Sequence, residues 1–170
     1  MGETNRLVPN CELMNPSASA RLERFQTQLH GFLDECLRGV SVETMSQPKI
    51  EGKWSALDNL AHLARYQEIF LNRVEKILQE DKPAFAAYRA EQDPEWSTWQ
   101  RLSSKEVLAR MTSSREQLLA RLRSLSDDEY ARVGFHLRFG EMSLALWIEF
   151  FLAHEGHHLY AVLQQVRGPK

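Results

Sequence analysis

Cysteine is nearly absent: 2 of 170 residues, Cys11 and Cys36. Cys11 lies in a polar, proline-containing stretch and Cys36 on an apolar helical stripe, so no disulfide framework is expected and a reducing cytoplasm is the natural compartment. A basic excess is also missing. Lys plus Arg number 21 against 23 Asp plus Glu, a net charge of −2, which gives no footing for binding nucleic acid. No apolar run approaches the ~20 residues of a membrane span. The opening MGETNRLVPN has no basic segment followed by an apolar one, so no secretory signal and no membrane partner are expected. Strand-like alternation and internal repeats are absent throughout. What is present, 43% hydrophobic and 26% charged residues, is ordinary for a globular protein. A length of 170 residues, at ~150 per domain, makes one domain with a sizeable core.

Helical periodicity organises the chain. Residues 1–16, broken by Pro9 and Pro16, read as a flexible N-terminal tail, and residues 17–170 as a single all-α domain. Ser17 or Ser19 caps a first helix carrying Leu22, Phe25, Leu29, Phe32, Leu33, Cys36, Leu37 and Val40, which ends near Gly39. Residues 41–52 read as a loop. A second helix runs from about Trp54 to Gln79 behind a Ser55–Asp58 capping pattern. Residues 80–102 show no period and contain Pro83, Pro94, Trp96 and Trp99, as a lid or crossover would. Ser103 with Glu106 opens a third helix, and Ser126 with Glu129 a short capped turn. A fourth helix spans about Ser143 to Val166, stopped by Gly168-Pro169. Four helices make a four-helix bundle the simplest architecture. The short first link predicts that helices one and two are antiparallel neighbours. The long second link permits a crossover between helices two and three.

Three of the 6 histidines fall in HEGHH. His154 and His158 are one turn apart on the seam Trp147, Phe151, His154, His158, Ala161, Gln165, which faces the bundle interior. Neutral imidazoles placed there need partners: either side chains and water, as a core pair, or a divalent metal ion. His62, at the border of the second helix's apolar arc, offers a third imidazole from another helix, as bundle metal sites require. Asp58, one turn earlier, is the candidate to hold its other ring nitrogen, and Tyr66 lies one turn later. HEGHH also fits the zinc-protease pattern H-E-x-x-H, with Glu155 as base. Against this, no His, Asp, Glu or Cys follows His158 to serve as third ligand, and Gly156 is a costly choice inside a helix.

WSALDNLAHL, and some ninety residues later FGEMSLALWIEFFLAHEGHHLYAVLQQV, resemble the DinB/YfiT-like superfamily. That resemblance covers about residues 17–167. It implies a four-helix bundle with a metal held by His62 from the W-S-x-x-acid-x-x-x-His-Leu segment and by His154 and His158 from the fourth helix. Trp54, Ser55, Asp58 and Gly140 match the pattern. Tyr160 and Ala161 stand close to where members often carry Gln, and Gln164 and Gln165 come one turn later. The resemblance implies metal-dependent hydrolysis, or transfer and isomerisation with low-molecular-weight thiols such as bacillithiol, mycothiol or glutathione. Some members are named only for induction by DNA damage.

Three neutral His ligands leave a coordination position for water or substrate. Imidazole suits Zn, Ni, Fe and Cu, with Zn or Ni favoured here and Fe admissible. The metal would lower the pKa of bound water or hold a thiol as thiolate. Cys36 reads as inert core, so the nucleophile is exogenous. Candidate bases are Glu155, Tyr66 and His157. The alternatives to an enzyme are a non-catalytic metal- or ligand-binding bundle and a purely structural one. Trp96 and Trp99 either wall the metal mouth or pack on the exterior. His30 reads as exposed and His136 as a solvated loop residue beside Arg138, which could meet an anionic substrate. The expected partners are a small-molecule substrate and a second copy of the chain, since the second and fourth helices are apolar over more than one face.

Overall fold

Capping side chains start the helices. Ser55 Oγ accepts the Asp58 backbone N–H at 3.0 Å while Asp58 Oδ2 accepts the Ser55 N–H at 3.0 Å. Ser103 with Glu106 and Ser126 with Glu129 form the same reciprocal box. Each cap contributes about 1 kcal/mol. The computed structural model describes residues 18–49 and 51–168. The expected tail over 1–16, and Ser17 as a cap, lie outside the described residues. The elements are α1 (Ala18–Cys36), α2 (Val42–Ser46), α3 (Ala56–Gln79), β1 (Ala84–Phe85), a 3-10 turn (Ala90–Gln92), α4 (Trp96–Trp99), α5 (Ser104–Arg123), α6 (Asp127–Ala131), β2 (Val133–His136), β3 (Gly140–Ser143) and α7 (Leu144–Arg167).

The long helices α1, α3, α5 and α7 form a four-helix bundle. Both α1 and α3 pack against α5 and α7. The first two long helices are therefore diagonal across the bundle, not the neighbours that the short link predicted. The link, residues 37–55, spans this distance even though part of it coils into α2, a capped turn in the segment expected to be loop. Contacts give the directions. Gln67 meets Met111 and Arg115, and Glu75 meets Arg121, so α3 and α5 are parallel. Asn59 meets His158, and Tyr66 stacks on Phe151, so α3 and α7 are antiparallel. Parallel α3 and α5 require the chain to cross the length of the bundle between them, which residues 80–103 do.

Strands, unexpected from the sequence, pair in the order β1-β2-β3. β1 is parallel to β2 (Ala84 opposite Phe135), and β2 is antiparallel to β3 (Val133 opposite Ser143). Elements of two to four residues are too short to show alternation. Gly140 closes the hairpin at φ +78°, a left-handed conformation that favours glycine.

The core has two halves. One contains Phe25, Phe70, Ile77, Leu118, Trp147 and Phe151; the other Leu29, Leu60, Trp99, Met111, Leu159 and Val162. Polar side chains separate them: Gln28 on α1, His62 and Gln67 on α3, Arg115 on α5, and His154, Glu155 and His158 on α7. Cys36 is buried, and burial pushes its thiol pKa up, consistent with inert core. No helix among the described residues is long and apolar enough to cross a membrane.

Two glycines have opposite expected responses to alanine. A Cβ at Gly134 would lie 2.9 Å from Ile77 Cγ1 and 3.1 Å from Phe85 Cε2, so Gly134→Ala should destabilise by roughly 1–3 kcal/mol. A Cβ at Gly156 on α7 would meet nothing within 4 Å, so Gly156→Ala should stabilise by about 1 kcal/mol. Chemical denaturation of both variants beside the parent measures both signs.

Candidate metal centre

His62 projects from α3 toward α7, where His154 and His158 stand one turn apart. One ligating atom from each of the three rings lies within 4.8 Å of the others, and no Cys, Asp or Glu joins the group among the described residues. The Nε2 atoms of His62 and His154 face each other at 3.2 Å. Two ligands on a tetrahedral zinc at ~2.0–2.1 Å would be separated by about 3.3 Å. His62 is buried and the other two rings half-buried. Burial, reinforced by the neighbouring histidines, lowers the pKa of each to about 3, so all three are neutral at physiological pH. Neutral imidazole is the ligating form.

The tautomer of His158 follows from the local backbone. Asn59 Nδ2 donates to Ser55 O at 2.8 Å, which turns its Oδ1 toward His158 Nδ1 at 2.8 Å. His158 Nδ1 therefore donates, and its Nε2 keeps a lone pair for a ligand. The Nδ1 atoms of His62 and His154 are buried without a hydrogen-bond partner among the described residues. The close approach of the His62 and His154 Nε2 atoms and the fixed His158 tautomer fit a divalent transition-metal ion bound through one nitrogen of each ring.

Aromatic rings wall this cluster. Trp54 lies 5.1 Å from His62 and stacks on His158 at 6.1 Å; Tyr66 lies 4.3 Å from His154; Tyr88 stacks on His62 at 5.3 Å; and Trp96 meets His62 edge-on at 6.2 Å. An ionic clamp places the last two. Arg65 Nε on α3 donates to Asp93 Oδ2 at 2.8 Å, and Tyr88 Oη donates to the same oxygen at 3.0 Å. This pins the crossover segment over the histidines. Trp96 thus joins the wall, whereas Trp99 is buried in the core with Arg110 stacked on it at 5.1 Å.

Bundle topology and three imidazoles on the second and fourth long helices are the features the resemblance implied, and residues 21–162 match the DinB superfamily. The chain belongs to that superfamily. It is 28% identical over 135 residues to the uncharacterised protein YuaE of Bacillus subtilis (strain 168), covering 72% of this chain and 83% of YuaE. YfiT from Bacillus subtilis, described as a probable metal-dependent hydrolase with an unusual four-helix bundle topology, superposes with a TM-score of 0.69 at 18% identity, covering 97% of this chain and 93% of YfiT. The four-helix bundle protein TT2238 superposes with a TM-score of 0.63 at 23% identity, covering 85% of this chain and 97% of its own. At these identities the superpositions establish the shared fold.

Other expected residues of this DinB-superfamily bundle lie elsewhere. Asp58 is not bonded to His62. Its Oδ2 also accepts the Ser55 hydroxyl at 2.6 Å, so the capping box consumes it. The polar residue that orients a histidine is its neighbour Asn59, on His158. Glu155 points roughly 100° around α7 from His154, where it pairs with Arg115 and accepts Gln28 Nε2 at 3.1 Å. Arg115 also donates to Gln67 Oε1 and Phe25 O, each at 2.8 Å. Glu155 is thus structural, which removes both its role as base and the protease reading of HEGHH. Tyr66 does adjoin the site, but burial raises its phenol pKa and its Oη accepts Arg73 Nη1 at 3.2 Å. It is a proton donor at neutral pH, not a base. His157 is exposed, beside His158 in a hollow of about 400 Å³ that also includes Gln164 and Gln165. His30 is exposed as expected. His136 is not solvated: it is buried at the end of β2, with Nδ1 accepting the Arg138 N–H at 3.0 Å.

Glu155→Gln should leave an uncompensated guanidinium in the core and cost roughly 3–5 kcal/mol while metal content stays intact. Asn59→Leu should lower metal affinity about 10–100-fold by releasing the His158 ring. Denaturation and competitive metal titration of the two variants distinguish these roles.

Proposed function

We propose that this protein is a metal-dependent enzyme for small molecules, in which His62, His154 and His158 hold a divalent transition-metal ion, zinc or nickel ahead of iron. The carrying observation is the donor set: three neutral imidazoles from two helices, with no fourth protein ligand in the group among the described residues. Such an incomplete shell is the mark of a catalytic site, not a structural one. When bound, the ion supplies Lewis acidity that shifts the ionisation of water or a low-molecular-weight thiol toward neutral pH, for hydrolysis or for thiol transfer.

The chain's own residues do the rest. Asn59 holds the His158 ring, and Trp54, Tyr88 and Trp96 exclude water from one flank of the cluster. Tyr66 presents a hydroxyl proton beside His154. With Glu155 held by Arg115, no carboxylate joins the three histidines among the described residues, which fits a nucleophile that ionises at the metal. The description of YfiT as a probable metal-dependent hydrolase supports the hydrolytic form. The resemblance to thiol-using members supports the transfer form.

His158→Ala should lose bound metal and any activity together, whereas His157→Ala should keep metal content near that of the parent, its side chain lying roughly 100° around the helix. Both variants should stay folded, because a bundle with this core does not depend on its ion as a zinc finger does. Metal content per chain, with ester hydrolysis and thiol consumption in the same preparations, tests the reading. Equal metal loss in both variants, or a metal-loaded parent inactive in both assays, would count against it.

A further inference from the structure

Beside His154, away from Trp54, lies a second hollow of about 230 Å³. Its lining includes Tyr66, Arg73, His136 and Arg138 as polar groups, with Phe139 and Phe150 among its apolar walls, and no acidic residue. Arg73 is the unusual member. It is 7% exposed, yet no carboxylate pairs with it among the described residues. Nη1 donates to Tyr66 Oη at 3.2 Å and Nη2 to Ala86 O at 2.8 Å. The guanidinium otherwise lies 5.5–5.7 Å from the centroids of Phe85, Trp147 and Tyr66. Neutral oxygens and ring faces do not balance a buried charge, and burying one without a counter-ion is costly. Arg115, buried more deeply still, has Glu155 as its carboxylate partner, and the half-buried Arg65 has Asp93.

Two further donors point the same way. His136 Nδ1 accepts the Arg138 and Phe139 N–H groups at 3.0 and 3.3 Å, so in its neutral form the proton is on Nε2. Tyr66 accepts from Arg73 and keeps its own hydroxyl proton to donate. Arg138, exposed on the hairpin, adds a second positive charge at the rim, stacked over Phe139 at 5.4 Å. The hollow is thus rich in donors, positively charged and aromatic-walled within a chain of net charge −2. Its volume falls below the ~300–1,000 Å³ of a whole ligand pocket, which suits one end of a small molecule.

We propose that this hollow receives the carboxylate end of a small substrate with an aromatic or apolar body, with Arg73 as its counter-ion and Arg138 at the entrance. One buried guanidinium matches one negative charge, which favours a monoanion over a dianion. The assignment rests on the enzyme reading above insofar as His154 lies in the same lining, so that an acid held by Arg73 sets the rest of the substrate toward the histidines.

The test uses the full chain after chelator treatment, so that a carboxylate cannot gain affinity from a metal ion. Phenylacetate and the isosteric neutral phenylacetamide are titrated by ligand-observed NMR, and the titrations are repeated on metal-loaded protein. Phenylacetate should bind about 10–100-fold more tightly than the amide, the span expected for charge-assisted hydrogen bonds. Arg73→Gln should erase the preference with metal content unchanged, and Arg138→Gln should reduce it about two- to fivefold. Equal binding of acid and amide, no binding of either, or a preference that survives Arg73→Gln would overturn the proposal. Should Arg73→Gln fail to fold, an undiminished preference in Arg138→Gln would overturn it instead. Anion selectivity in a chain that takes up no metal would leave this assignment standing and sink the enzyme reading; metal uptake without anion selectivity would do the reverse.

Discussion

A helical bundle that carries polar side chains through its middle must partner each of them, and this requirement shapes the layer between the two core halves. On one side of α7, Arg115 and Glu155 meet in near-complete burial, with Gln28, Gln67 and Phe25 O taking up their remaining hydrogen bonds. A quarter-turn around the helix, three imidazoles are brought together and kept neutral by burial. The two arrangements share a helix turn but solve the problem differently. The ion pair is closed within the protein, whereas the histidine cluster leaves two ring nitrogens without a partner among the described residues. A buried polar group left unpaired costs about 1–3 kcal/mol, so the cluster is held by the surrounding fold and not by its own contacts.

The fold supplies that support through its connections. Running α3 and α5 parallel commits the chain to a long crossover, and the Arg65–Asp93–Tyr88 clamp fixes the crossover against α3. Tyr88 and Trp96 thereby become part of the site. At the opposite flank, the β2–β3 hairpin sets His136, Arg138 and Phe139 beside the N-terminal half of α7. Its close approach to α3 depends on Gly134, where there is no room for a side chain. Segments that look irregular in the sequence thus build both walls around the histidines, while the regular helices position the histidines themselves.

Helix positions were legible because their signals are local. Three Ser-x-x-acid boxes mark helix starts to within a residue or so, and the step of four between His154 and His158 puts both rings on one face. Which carboxylate serves which partner was not legible. Asp58 has the right spacing for His62 and equally for the Ser55 cap, and the cap, being closer, takes it. Asn59 carries a detectable signal, since it lies three residues before His62 on the same helix face, but only the fold shows that it reaches His158. Glu155 matched a catalytic pattern whose meaning depends on what lies behind the helix, and Arg115 lies 40 residues away. The strands escaped notice because two to four residues cannot express a period. The diagonal placement of α1 and α3 rests on contacts distant in sequence, and α2, a single turn against α3 and α7 within an apparent loop, is too short to express a period.

The central claim is that one nitrogen from each of His62, His154 and His158 binds the same ion. X-ray absorption at the metal edge of the zinc- or nickel-loaded full-length protein tests it most directly. The account predicts three imidazoles in the inner shell, at ~2.0–2.1 Å for zinc, completed by light oxygen or nitrogen atoms and free of sulfur. A shell with fewer than two imidazoles, or one containing the sulfur of a cysteine, would contradict it.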